Sequence, residues 1–169
     1  AHHYQLLTAV KCGAHSVSGK GTCDGGLLID LSPLQGVSVN PTKRRIFVTG
    51  GSLLGRLDEA TLPLGLGTTA GTVSHTGVGG LTLGGGFGRL GRRFGLTLDN
   101  LKSVEIVTAD GQLRYADAEE NSELFWGVRG GGGNFGVVTM FEFQLHPMNP
   151  KVVGGRITYS FAQVKDLLE

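Results

Sequence analysis

Apolar residues in this chain alternate with polar ones over short runs far more often than they recur at helical spacing. The clearest run is 137–145. Thr139, Phe141, Phe143 and Leu145 fall on one face and Glu142 and Gln144 on the other, the period of a half-buried strand. Leu6 to Val10 reads as a strand entering a Gly/Ser-rich turn region at 12–26. Leu27 to Leu31 reads as a second strand, bounded by Gly26 and Pro33. Val37–Val39 and Ile46–Thr49 predict a hairpin across Asn40-Pro41-Thr42-Lys43. Val104–Val107 turns through Asp110-Gly111 into Leu113–Tyr115, and Asp-Gly between β-like runs is a strong hairpin signal.

Helical spacing is rarer. Ser52 offers an N-cap for Leu53, Leu54, Leu57 and Thr61, with Asp58 and Glu59 facing water and Pro63 closing the helix. Asn121 or Ser122 caps a short helix through Leu124-Phe125-Trp126. Between Gly77 and Gly95, nine of nineteen residues are glycine and no helix pattern fits. Pro147 and Pro150 mark a boundary, and 152–168 reads as the start of a further unit. Mixed strands with two or three short helices predict an α+β class.

Composition sharpens this picture at one point. Glycine supplies 30 of 169 residues, more than twice the usual share of about 7%. No every-third-residue period points to collagen, and no run of 18 apolar residues marks a membrane helix. A formal charge of +1 and 7% aromatics give no electrostatic or stacking case for nucleic acid, nor a charge case for anionic lipid. Cys12 and Cys23 match no zinc or thioredoxin spacing and read as free or buried thiols. With no signal peptide in view, the expected location is cytoplasmic.

Glycine-rich loops bring backbone N–H groups close to an anion. Gly86-Phe87-Gly88-Arg89-Leu90-Gly91 and Gly131-Gly132-Gly133-Asn134-Phe135-Gly136 both fit a GxGxxG template. Neither follows a strand and opens a helix, so a Rossmann site is not expected. A P-loop is absent as well, because Gly19-Lys20 is followed by Gly21. Tight turns account for many of the glycines. The runs Gly84–Gly86 and Gly130–Gly133 cost much backbone entropy and suggest a large flat or charged ligand against bare backbone.

Six motifs occur in a fixed order: Cys12-Gly13-Ala14-His15-Ser16, Cys23 to Leu31, Thr76 to Gly86, Asp99-Asn100-Leu101, Thr108-Ala109-Asp110-Gly111, and Leu124 to Val138. Together they resemble the FAD-binding domain of the vanillyl-alcohol oxidase and p-cresol methylhydroxylase type. Within that type they are most similar to bacterial berberine-bridge-enzyme-like oxidases. The resemblance covers roughly 5–147.

The resemblance implies FAD as cofactor. It places the diphosphate at Gly13, Ala14, His15, Ser16 and Gly19, with His15 as the residue linked covalently to the flavin 8α-methyl. Neutral imidazole suits that role. Cys12 and Ala14 stand where the family has glycine, and Ala14 adds a Cβ where backbone approaches phosphate. A second, thioether link would need a cysteine near Val73, so one link at most is implied. Thr76, Gly77, Gly79, Gly80, Gly84, Gly85 and Gly86 are implied along the diphosphate, ribityl chain and isoalloxazine edge. Asn134, Phe135, Gly136 and Val138 are implied near the adenine or flavin. For Phe135 and Val138, plain core packing is an equal alternative. His75, beside the Gly77 loop, faces either the flavin or the protein. Arg89, Arg92 and Arg93 read as solvated surface, and Asp99, Asp110 and Glu105 as turn and hairpin residues rather than catalytic acids.

The activity implied is two-electron oxidation of an alcohol, sugar or amine-type small molecule, with the substrate held by a domain outside this chain. No catalytic pair carries over. The domain expectation is an incomplete FAD-binding domain at 1–147, lacking its first strands, and a truncated start of the substrate domain at 148–169. Two alternatives stay open: a catalytically inactive remnant that binds FAD weakly or not at all, and a glycine-rich β scaffold without a ligand.

Overall fold

A computed structural model describes residues 1–168. The chain runs β1 (Thr8–Lys11), β2 (Leu27–Asp30), β3 (Val37–Asn40), β4 (Arg45–Thr49), α1 (Leu54–Thr61), β5 (Leu66–Gly67), α2 (Val78–Leu83) and α3 (Gly91–Phe94). It continues through β6 (Leu101–Val107), β7 (Leu113–Asp117), α4 (Ser122–Val128), β8 (Val137–Gln144), β9 (His146–Pro147) and α5 (Val164–Leu168).

The centre is a five-stranded antiparallel sheet in the order β3-β4-β8-β6-β7. Its core face follows from the alternation in the sequence. Ile46 and Val48 of β4 lie beside Phe143 and Phe141 of β8, and Val104 and Ile106 of β6 flank them. All six are at most 1% exposed. The Phe141 and Phe143 rings run nearly parallel, 6.0 Å apart. Leu54 and Leu57 of α1, Val78 of α2, and Phe125 and Val128 of α4 close the same core. Each such side chain contributes about 1.5–3 kcal/mol of transfer free energy. The other sheet face is half-buried and mixed, with Phe47 and Met140 beside polar residues. There Arg45 pairs with Glu142 at 3.2 Å, and the Ser103 hydroxyl donates to Glu142 at 2.8 Å.

Three expectations are corrected. Ser52 does not cap α1. It is fully buried, and its hydroxyl donates to the Gly36 carbonyl and accepts from the Gly36 N–H, both at 3.2 Å, so it staples the β3 entry. Asn121 is not a side-chain cap for α4 either. It sits at φ +48° and donates to the Tyr115 carbonyl. The stretch 77–95, where no helix pattern fits, holds two short helices, α2 and α3.

Beyond the main sheet, β1 and β2 form a parallel pair that buries only Ala9. β9 pairs with β5. From Asn149 onward every described residue is exposed. No helix among the described residues is long and apolar enough to cross a membrane.

Candidate cofactor site

The site begins where two loops cross. The chain leaves β1 through Cys12 and Gly13 and meets the segment that enters α2. A Cβ at Gly13 would fall on the Gly77 nitrogen, and one at Gly77 would lie 2.5 Å from both the Cys12 sulfur and the Gly13 nitrogen. Neither position admits a side chain. The α2 entry is itself fixed by backbone. Leu54 N–H donates to Thr76 O at 3.0 Å, Gly55 N–H to Ser74 O at 2.8 Å and Val78 N–H to Ser52 O at 2.9 Å.

His15 and His75 each stand two residues from this crossing. Their rings meet in the open: His15 Nε2 lies 2.7 Å from His75 Nδ1, with centroids 4.7 Å apart. Ala14, between the crossing and His15, is held at φ +57°, the left-handed region that favours glycine. Ser16 closes the loop by accepting from the Lys20 N–H at 3.1 Å, and Gly19 takes φ +74° in the same turn. Val73 is 41% exposed, accepts from the Thr76 N–H at the α2 entry and carries no sulfur. Burial pushes the Cys12 thiol up, against the backbone N–H groups of Gly79, Gly13 and Val78, so Cys12 stays a protonated, packed side chain.

Helix α2 separates its glycines by purpose. Gly79 faces the sheet, where a Cβ would come 3.2 Å from Gly50 O and 3.7 Å from the Phe141 ring. Gly80 faces outward, is exposed, and a Cβ there would meet nothing within 4 Å. Glycine inside a helix costs about 1 kcal/mol relative to alanine. Packing among the described residues gives no return for that cost at Gly80. A ligand laid against the helix backbone does.

The next turn brings in the second glycine cluster. Gly85 (φ +106°) and Gly86 (φ +70°) reverse the chain after α2, and a Cβ on Gly86 would press the Thr97 hydroxyl at 2.5 Å. The Leu98 methyl lies 3.5 Å from a Cβ position on Gly85 and 3.9 Å from one on Gly130. Leu98 thus joins the Gly84–Gly86 turn to the 130–133 run, and α2 packs on the Gly132–Phe135 turn as well. The Thr82 and Thr97 hydroxyls are buried with no partner among the described residues. A buried hydroxyl left so costs about 1–3 kcal/mol. The bare outer face of α2 and the two open glycines 132 and 133 fit a large ligand laid against backbone; the buried hydroxyls, like those of Thr68 and Thr69, face inward.

The structure therefore gathers Gly13–Ser16, Thr76–Gly86 and the 130–135 run around α2. The members at 134–138 divide. Asn134 donates to Gly131 O at 2.6 Å, which holds the turn. Phe135, 38% exposed, lies on the bare surfaces of Gly127 and Gly131, where a Cβ would stand 2.7 Å and 2.5 Å from its ring. Gly136 is bare because a Cβ would strike Val107 O. Val138 is 4% exposed in the core beside Ile106, and a Cβ on Gly50 would strike its carbonyl. It faces no open surface.

Asp99 and Asp110 serve turns. Asp99 accepts from the Leu96 N–H at 2.7 Å, and Asp110, held down to about 2 by Thr108 and Arg114, closes the β6–β7 turn. Arg89, Arg92 and Arg93 are exposed, and Arg93 lies over the Phe94 ring at 4.8 Å.

One supporting residue lies outside every sequence motif. His146 Nε2 is 2.7 Å from Asn100 Oδ1, and its ring stacks on Phe94 at 4.2 Å. Asn100 spends both amide protons on the Phe94 and Leu96 carbonyls, at 2.9 Å and 2.8 Å. His146 therefore donates, and this bond ties β9 to the loop that carries Thr97 and Leu98.

Comparison with known proteins shows the family and the fold. A model of a family described as "FAD binding domain" matches residues 1–117. An FAD-linked oxidoreductase of Dictyostelium discoideum is 44% identical over 164 residues, 97% of this chain and 36% of that protein. The (R)-6-hydroxynicotine oxidase of Paenarthrobacter nicotinovorans is 38% identical over 155 residues, 92% of this chain and 34% of that protein. Among solved structures, 6-hydroxy-D-nicotine oxidase from Arthrobacter nicotinovorans superposes with a TM-score of 0.83 at 37% identity, covering 86% of this chain and 32% of that one. A chitooligosaccharide oxidase gives 0.79 at 32%, covering 86% and 32%. The chain spans about a third of the length of the curated relatives it matches.

Proposed function

Because this chain belongs to the FAD binding domain family, with the fold of the vanillyl-alcohol oxidase and p-cresol methylhydroxylase type and FAD as its cofactor, we propose that it is the FAD-cradling part of an oxidoreductase acting on an alcohol, sugar or amine-type small molecule. Similarity to an amine-type oxidase and an oligosaccharide oxidase supports that range of substrates. The single observation that carries the cradle is Gly80, a glycine inside a helix with open space where its side chain would stand.

Backbone from Gly13 to Ser16 and from Gly77 to Gly86 holds the cofactor, and His15 links to it covalently through a ring nitrogen. Bound FAD supplies two-electron acceptor chemistry. The chain's own work is to bind, orient and shield. Asp99, Asp110 and Glu105 serve turns and strands, and none of them is read as the proton acceptor for substrate. We read 1–147 as the cofactor domain and 148–169 as the lead into the substrate domain.

One observation favours weaker retention of the cofactor. Ala14 holds a left-handed conformation with a Cβ in the middle of the proposed diphosphate loop.

The test is reconstitution with FAD followed by acid denaturation, read by visible spectrum and intact mass. An acid-stable flavin band and a mass gain of one FAD, both lost in His15→Ala, are the expected result. A colourless protein of bare mass after incubation with excess FAD refutes the holo reading.

A further inference from the structure

We propose that His75 is a positioning residue for His15: it accepts a hydrogen bond from His15 Nε2–H, leaving His15 Nδ1 bare as the nitrogen that joins the flavin. The inference rests on the reading of His15 as the linking residue.

The geometry comes from the loop crossing. Gly13 and Gly77 touch backbone to backbone, so the two loops cannot slide apart without leaving unfilled space or closer without collision. Each histidine follows or precedes its glycine by two residues, and the α2 entry is tied to α1 by Leu54 N–H and Gly55 N–H. The crossing brings the two backbones together, and the rings meet at 2.7 Å, Nε2 to Nδ1.

A contact of this length needs one proton and one lone pair. With the proton on His75 Nδ1, His15 Nε2 spends its lone pair in the bond and His15 Nδ1 carries the other proton, so no nucleophilic nitrogen is left. With the proton on His15 Nε2, His15 Nδ1 is a bare lone pair. Only the second arrangement is reactive, and in both Nε2 is engaged. The attacking nitrogen is therefore Nδ1, and the partner on Nε2 sets the tautomer, the usual way one ring nitrogen governs the other.

The step balances as follows. A bond forms between His15 Nδ1 and the flavin 8α-carbon, and one C–H bond of the 8α-methyl breaks, its proton passing to solvent and its electron pair to the flavin. The Nε2 proton of His15 passes to His75 Nδ1 and on to solvent, to which both rings are open. The two electrons released are taken by the flavin and passed, with two protons, to dioxygen, which leaves as hydrogen peroxide. His75 relieves the positive charge that builds on His15 as its second nitrogen is alkylated.

The experiment follows attachment of FAD to the full chain by intact mass, in the original protein and in His75→Ala and His75→Asn. Long-range proton–nitrogen NMR of the histidine rings reports the tautomer before FAD is added and the linked nitrogen afterwards. We expect the His15 Nε2–H tautomer and an Nδ1 link in the original chain. His75→Ala is expected to mix the tautomers and slow attachment by about 100-fold, the scale of positioned proton transfer. His75→Asn keeps an acceptor at the Nδ1 position but cannot take the proton, so it restores the tautomer and an intermediate rate. Melting temperatures should match in all three, because His75 is exposed. Attachment in His75→Ala at the original rate, or linkage through Nε2, overturns the proposal. Absence of any acid-stable flavin in the original chain, with the tautomer as stated, instead overturns the linkage reading on which it rests.

Discussion

Gly80→Ala should move stability and cofactor affinity in opposite directions. Gly80 is the third residue of α2, and alanine there restores helix propensity worth about 0.5–1 kcal/mol. The new methyl touches nothing within 4 Å, so no packing cost offsets this gain. For a chain of this length that is a rise of about 1–4 °C in melting temperature without FAD. If the isoalloxazine or ribityl chain lies on that face, the methyl holds it off the backbone. Overfilling of a fitted contact costs about 1–3 kcal/mol, which weakens FAD binding by roughly five- to over a hundredfold. Two measurements on one variant suffice: thermal unfolding of the FAD-free chain, and FAD titration by fluorescence quenching. A raised melting temperature with unchanged FAD affinity would refute the placement of the cofactor on α2. A lowered melting temperature would refute the open geometry itself. Gly79→Ala is the internal control, since its Cβ stands 3.2 Å from Gly50 O and the same propensity gain is offset by backbone contact.

Two further outcomes follow from the surroundings of the site. Ala14→Gly should stabilise the chain by about 0.5–1 kcal/mol, because relief of about 1–2 kcal/mol of left-handed strain exceeds the extra unfolded-state entropy of about 0.4–1 kcal/mol; a fall in the melting temperature would show that Ala14 is not strained at φ +57°. His146 has its pKa lowered, first by burial and then by Lys102, Arg44 and Arg93. The unfolded chain therefore binds more protons than the folded one below the ordinary value of 6.5, and stability present above 6.5 is lost as pH falls toward the folded pKa. His146→Gln keeps a donor for Asn100 Oδ1 but does not titrate, so urea midpoints compared at pH 8 and pH 5.5 should lose part of their acid slope; an unchanged slope would remove His146 as its source.

The sheet could be read from the sequence because alternation is a local signal. Phe141, Phe143 and Leu145 face the core wherever the strand lies, and the Asp110-Gly111 turn joins neighbours only a few residues apart. Helix α2 could not be read, because glycine at positions 79 and 80 removes the propensity and the apolar stripe that mark a helix, and packing on the sheet supplies the stability instead. Ser52 misled for a related reason: a residue suited to capping is equally suited to binding backbone elsewhere, and Gly36 claimed it. In the site, motif order placed His15 and the three glycine segments. It could not pair His15 with His75, sixty residues away, because the pairing depends on two bare backbones meeting at Gly13 and Gly77. The same limit governs the glycines themselves. Gly13, Gly77, Gly79 and Gly136 are bare because the protein's own backbone occupies the space, whereas Gly80 is bare with that space open. In sequence these positions carry the same letter. Only their neighbours separate a glycine demanded by the fold from one with open space beside it, and at α2 Gly79 and Gly80 stand side by side as one of each.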